Sequence, residues 1–201
     1  MIAVFARGAF GEAVARLLRE RTPAVSRPLD ADGALDGCDF AVAAFWRPYE
    51  EECRRLDAAC RAAGIAWTSV VVRENQLFCG PTLHPAAGAC YRCFERRHAS
   101  HLHAPERDAA LADLYARDED AGPPGFLPAA AGMGAAAALE ARAAGADAAG
   151  LVLRVDLLRG VIVESRVVRV HGCGTCGRSD EAAPDRFVRH LVPALEEALP
   201  R

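Results

Sequence analysis

The chain has 201 residues and a mass of 21.4 kDa, enough for one sizeable domain. With 52% hydrophobic and 25% charged residues it can bury a core, and a net charge of -3 disfavours a non-specific nucleic-acid binder, which would be basic. All 24 basic side chains are Arg, so Schiff-base chemistry and a Walker-type phosphate loop, both of which need Lys, are excluded.

Residues 1–5 read as a short apolar strand. Ala6-Arg7-Gly8-Ala9-Phe10-Gly11 then leads into a helix with Ala13, Val14, Leu17 and Leu18 on one face. This is part of the G-x-G-x-x-G fingerprint, with Ala6 in place of its first Gly. Gly8 and Gly11 are therefore candidate nucleotide-binding residues; a tight turn without a ligand is the alternative.

Residues 24–37 have weak strand character, and residues 39–45 read as a buried strand. Residues 48–63 form a helix ended by Gly64, with Glu50 and Arg54 spaced for an i,i+4 pair. Cys53, Leu56, Cys60 and Ala63 share one face of it, so both thiols are expected in the core. Strands follow over 65–72 and 76–79, the second ended by Gly80-Pro81. The alternation of strand and helix predicts an α/β fold with a mostly parallel sheet.

Residues 95–127 change character, with His, Arg and Asp, the run Arg117-Asp118-Glu119-Asp120, and a Gly-Pro-Pro-Gly stretch. They read as an exposed crossover segment containing an amphipathic helix near 104–116. An Ala-rich helix over 127–144 comes next, then an antiparallel hairpin of residues 151–155 and 161–170 around Arg159-Gly160. Pro184 opens a last helix, with Phe187, Leu191, Leu195 and Leu199 on its apolar side and a bend at Pro193. No repeat, signal segment or membrane span is found, which points to a cytoplasmic protein without a membrane partner.

The eight Cys include two C-x-x-C pairs, Cys90/Cys93 and Cys173/Cys176, with 79 residues between them. Each pair can aim two thiolates at one ion from a tight turn, and four soft ligands suit a structural tetrahedral zinc. A thioredoxin-like redox pair and unliganded thiols are the alternatives. His98, His101 and His103 read as a solvated polar cluster, with a second metal as the other option. Cys38 and Cys79 remain unassigned.

The run from Cys79-Gly80-Pro81 through "CYRCFERR", the segment "GFLPAAAGMGAAAALEA" and the late "HGCGTCG" resemble the ThiF/MoeB superfamily of ubiquitin-activating-type adenylyltransferases, over about residues 1–178. The resemblance implies a single Rossmann-like domain over 1–201, a homodimer, and zinc on Cys90, Cys93, Cys173 and Cys176. The adenylation pattern is eroded: one loop Gly is missing, no Lys is present, and the strand where the family places a magnesium-binding Asp reads Ala43-Ala44-Phe45-Trp46. The crossover holds no acceptor Cys. Arg47 or Arg73 could partly compensate for the missing cation.

This pattern most resembles the ThiF-like partner proteins of thiazole/oxazole-modified peptide biosynthesis. There a YcaO-type cyclodehydratase does the ATP-dependent chemistry, and the ThiF-like protein helps present the precursor or leader peptide. The chain opens directly on the first strand, so no N-terminal leader-recognition winged helix is expected. The implied function is a non-catalytic partner with structural zinc, doubtful ATP binding and no nucleic acid. An active adenylyltransferase for a peptide or carrier-protein C-terminus is the alternative.

Overall fold

The computed structural model describes residues 1–177, apart from 32, 103 and 124. The helix expected from Pro184 and the side chain of His103 lie outside the described residues.

Seven strands form one sheet in the order β2-β1-β3-β4-β5-β6-β7. They are β1 (Ile2–Arg7), β2 (Ala24–Ser26), β3 (Phe40–Phe45), β4 (Ala66–Arg73), β5 (Gln76–Leu83), β6 (Leu151–Asp156) and β7 (Val161–Arg166). The helices are α1 (Gly8–Arg21), α2 (Glu50–Ala63), α3 (Tyr91–Ala99), α4 (Pro105–Arg117) and α5 (Pro128–Ala144). Phe10, Val14 and Leu18 of α1 and the buried Ala residues of α5 share one core with the first face of the sheet. Cys53, Leu56 and Cys60 of α2 join Tyr91 and Phe94 of α3 in a core on the other face.

The expectation of a mostly parallel sheet needs correcting. β1 pairs in parallel with β2 and β3, and β3 with β4; β6 and β7 form the expected antiparallel hairpin, but β4–β5 and β5–β6 are antiparallel as well. The reason is short: only Glu74 and Asn75 separate β4 from β5, and a parallel crossover needs a dozen or more residues. Glu74 takes a φ of 54°, as a two-residue hairpin loop demands.

β5 also runs past Gly80-Pro81 to Leu83 instead of stopping there. The β4–β5 register shifts between Thr68 and Val70, and this irregularity accommodates the proline. The expected Glu50–Arg54 pair is not formed. Arg54 binds Glu51 and Glu95, while Glu50 binds Arg73. Ala63 is exposed, whereas Cys53, Leu56 and Cys60 are buried as expected.

The Ala-rich segment is a helix because Ala has the best helical propensity and Pro128 stands at its first position. Its small residues let it lie close: a side chain at Gly134 would collide with Val70. The crossover segment carries α4, as expected, and no residue of that helix is buried.

Strand direction fixes where sites can form. β5 and β7 are separated by β6 and run the same way, so their C-terminal ends lie side by side, roughly 10 Å apart at ~4.8 Å per strand. Because β5 is antiparallel to β4, those ends are at the opposite end of the sheet from the C-terminal ends of β1 and β3.

Candidate metal centre and switch-point crevice

The two cysteine pairs meet at the β5/β7 end. Their Sγ atoms all lie within 4.8 Å of one another. Cys90–Cys93 is 3.7 Å, Cys90–Cys173 3.6 Å and Cys93–Cys176 3.4 Å. Four sulfurs bound at ~2.3 Å to one tetrahedral ion stand about 3.8 Å apart, so the spacing fits a metal and is too long for a disulfide. Cys90, Cys93 and Cys173 are buried and Cys176 is half-buried. Among the described residues this is the single group of three or more His, Cys, Asp or Glu side chains able to share an ion.

The local structures differ from two matching turns. Cys90 is the N-cap of α3 and Cys93 lies in its first turn, so the first pair is carried by the N-terminal end of a helix. The second pair sits on a turn closed by the Gly177 N–H donating to the Cys173 carbonyl at 2.7 Å. The Val170 N–H donates to Cys93 Sγ at 3.3 Å. Burial raises the Cys90 and Cys176 thiols above their ordinary value. At Cys173 burial works the same way, but the Cys176 and Thr175 backbone donors and the neighbouring thiols outweigh it and bring the group to about 6.

Three charged residues that the sequence reading missed brace the cluster: Asp57 anchors the first turn of α3, and Arg97 and Arg169 tie the two halves together. Asp57 on α2 is buried; it accepts from the Tyr91 N–H at 3.1 Å, from Trp67 Nε1 at 3.1 Å and from Arg61 Nε at 3.3 Å. It thus satisfies an open N–H in the first turn of α3. Arg97 donates to the Val168 and Arg169 carbonyls, and Arg169 donates to the Gly88 carbonyl at 2.6 Å. Nothing in the spacing of these residues marks them, because each acts on a segment far away in the chain.

Among the described residues, His98, His101 and His171 do not form a second site. His98 is sandwiched between Phe78 and Phe94, at 5.6 and 5.5 Å between ring centroids. His101 and His171 are exposed. Burial, with a smaller effect from Arg73, pushes the His98 imidazole down to about 4, so the fold holds it neutral. Its unfolded value is ~6.5, and the unfolded chain therefore takes up a proton first as pH falls. Stability is expected to decline between about pH 6.5 and 4 and to be unaffected by this group above that window. Melting curves of wild type and His98→Gln should show a gap that changes with pH only inside it.

The second candidate site lies at the other end of the sheet, between the C-terminal ends of β1 and β3. Here the chain order reverses, and ligands of doubly wound folds enter at such a point. Gly8 and Gly11 are both placed there. Gly8 has a φ of 69°, and a Cβ on it would come within 2.5 Å of the Trp46 indole. A Cβ on Gly11 would collide with the Ala44 carbonyl oxygen, so this glycine serves close helix–strand approach. Trp46 also meets Gly122 from the crossover segment, where a Cβ would again fall 2.5 Å from the ring.

Arg47, one of the two candidate phosphate cations, is 2% exposed. Its guanidinium donates to the Tyr115 and Glu119 carbonyls, both at 3.2 Å, and lies over the Tyr49 and Tyr115 rings at 4.8 and 4.6 Å. Cation–π contacts and carbonyl dipoles thus stand in for a carboxylate. Trp46 and Arg47 together pin the crossover segment over the crevice. Arg73, the other candidate, is bound to Glu50 at 3.2 Å. Arg47→Met is expected to free residues 105–122: proteolysis there should become faster while the melting temperature falls by an amount matching about 1–3 kcal/mol. Unchanged cleavage would show that the contacts do not hold the segment.

No protein-family model matches the chain, and no curated protein does. Solved structures do. The heterocyclase TruD matches with a TM-score of 0.65 and 16% identity over 88% of this chain and 27% of its own. The E. coli microcin synthetase complex McbBCD matches with a TM-score of 0.63 and 11% identity over 86% of this chain and 66% of the other. E. coli MccB with ATP matches with a TM-score of 0.56 and 14% identity, over 88% and 59%. The chain spans about a quarter of the length of the heterocyclases it matches, 27% and 25% in two structures. At these identities the likeness is one of fold: the chain shares an α/β fold with heterocyclase and microcin-synthetase components.

Proposed function

We propose that the chain is a non-catalytic ThiF-like partner in the biosynthesis of azoline- or thiazole-containing ribosomal peptides. It binds a precursor peptide, a YcaO-type cyclodehydratase, or both, and Cys90, Cys93, Cys173 and Cys176 hold a structural zinc. The observation that carries this reading is the filled crevice. Trp46 covers the Gly8 turn, and Arg47 is spent on the crossover backbone instead of facing a ligand. A triphosphate and its metal need fixed cations and carboxylates in that space.

The cysteine cluster supports the same reading. It sits at the far end of the sheet and has four thiol ligands, so a bound zinc has no open position and stabilises without entering a reaction. Structures of this fold that are heterocyclases or microcin synthetase components support the peptide-modifying context. Homodimerisation and a cytoplasmic location belong to the proposal. Among the described residues no helix is long and apolar enough to cross a membrane.

The test pairs two measurements on the zinc-loaded chain with a precursor peptide and YcaO enzyme from the same gene neighbourhood. Co-purification with either, and no peptide-dependent ATP–pyrophosphate exchange by the chain alone, is the expected result. Exchange activity would restore the adenylyltransferase alternative, and failure to associate with either would remove the partner role.

A further inference from the structure

An open groove of about 500 Å³ runs between α2 and α3 on the sheet face opposite α1 and α5. Glu51, Arg54, Arg55 and Ala58 line it from α2; Arg92, Glu95 and Arg96 line it from α3. Four guanidinium groups therefore face two carboxylates. Both carboxylates are already engaged by one Arg: Arg54 binds Glu95 at 2.9 Å and Glu51 at 2.8 Å. Arg55 has only a 3.9 Å contact with Glu52. Arg92 and Arg96 make no ion pair among the described residues.

This arrangement costs stability in the free chain. Arg92 and Arg96 are like charges at i,i+4, a destabilising spacing on a helix. Arg92 also stands in the first turn of α3, where the helix dipole disfavours a cation.

We infer that this groove binds a short acidic stretch of a peptide partner, with Arg55, Arg92 and Arg96 pairing with its carboxylates. Arg presents a planar fork matched to a carboxylate. The longer wall, Glu51 to Ala58 of α2, is about 10 Å long at ~1.5 Å per helical residue, which spans roughly three residues of extended peptide. With Glu51 and Glu95 both paired to Arg54, Arg55, Arg92 and Arg96 are left for a ligand, which matches a few spaced carboxylates better than the continuous charge of a nucleic-acid backbone. The choice of a peptide rests on the partner role proposed above; the charge of the groove does not.

The probe is a fluorescein-labelled peptide of alternating Glu and Ser, titrated against the zinc-loaded chain by anisotropy. Saturable binding that weakens with salt is expected, and Arg55→Glu with Arg96→Glu should weaken it about tenfold or more. Arg16→Glu, on α1 at the opposite sheet face, should leave it unchanged. The double variant must keep wild-type zinc content and melting temperature; if it does not fold, Arg55→Gln with Arg96→Gln takes its place, with a smaller loss expected. Absent binding, equal weakening by Arg16→Glu, indifference to the double variant, or equally tight groove-dependent binding of a single-stranded DNA each overturns the inference. If the precursor peptide still co-purifies with the double variant at full yield, the groove is wrong while the partner role stands.

Discussion

Cys90→Ala or Cys173→Ala is expected to abolish zinc retention and to produce the largest stability loss of any single change. Wild type should carry about one zinc per chain, and either variant close to none. A structural zinc contributes on the order of 10–16 kcal/mol of binding free energy in small metal-folded peptides, which is folding free energy where the site does not exist unfolded. Here the sheet supplies a core of its own, so the expected outcome is a large fall in melting temperature and not complete unfolding. The loss should be greatest around the β5/β7 end, where the cluster ties segments 79 residues apart in sequence. Chelation of the wild type should reproduce it. Cys53→Ala provides the contrast: Cys53 is buried in the apolar core with Leu56 and Tyr91, away from the four-cysteine cluster, so its loss should leave the zinc content unchanged. Full metal content and an unchanged melting temperature in Cys90→Ala would disprove the four-thiolate assignment.

Asp57→Ala should be the next most damaging change. The carboxylate is 4% exposed and serves the Tyr91 N–H, the Trp67 indole and Arg61 together. Removing it strands a buried N–H, a buried indole donor and a half-buried cation, at a cost of about 3–5 kcal/mol. Because Tyr91 follows Cys90 directly, the first turn of α3 should also lose its set, and zinc should exchange faster. Asp57→Asn keeps the shape and one acceptor but loses the charge. It should fall between wild type and Ala in melting temperature. Equal stability of all three proteins would mean that Asp57 does not position the metal-binding turn.

The four-cysteine cluster was legible in the sequence. Two C-x-x-C pairs mark candidate ligands, because the spacing that can aim two thiols at one ion is local. The buried stripe of α2 was legible for the same reason: Cys53, Leu56 and Cys60 repeat with the helical period, and all three are buried. The reversal of β4 into β5 was also present, in the two-residue gap at Glu74-Asn75, but the regular strand–helix alternation before it suggested another parallel strand. The His98/His101/His103 cluster looked polar in sequence. Yet a helix turns its side chains apart, and His98 faces the Phe78 and Phe94 rings while His101 faces water.

By itself, then, the sequence determined the α/β class, most element positions, the four candidate ligands and the erosion of the nucleotide loop, all of which depend on residues close together in the chain. Only the tertiary structure decided that the two cysteine pairs meet, since that required β5 and β7 to run in the same direction one strand apart. It also decided that the cluster and the Gly8 turn lie at opposite ends of the sheet, and that Trp46 and Arg47 fill the crevice beneath residues 115–122. A chain whose every basic side chain is Arg has its best-placed cation, Arg47, committed to its own backbone, and a group of Arg side chains facing outward from α2 and α3. Contacts made across more than sixty positions of chain depend on strand order and packing, and no local spacing encodes them.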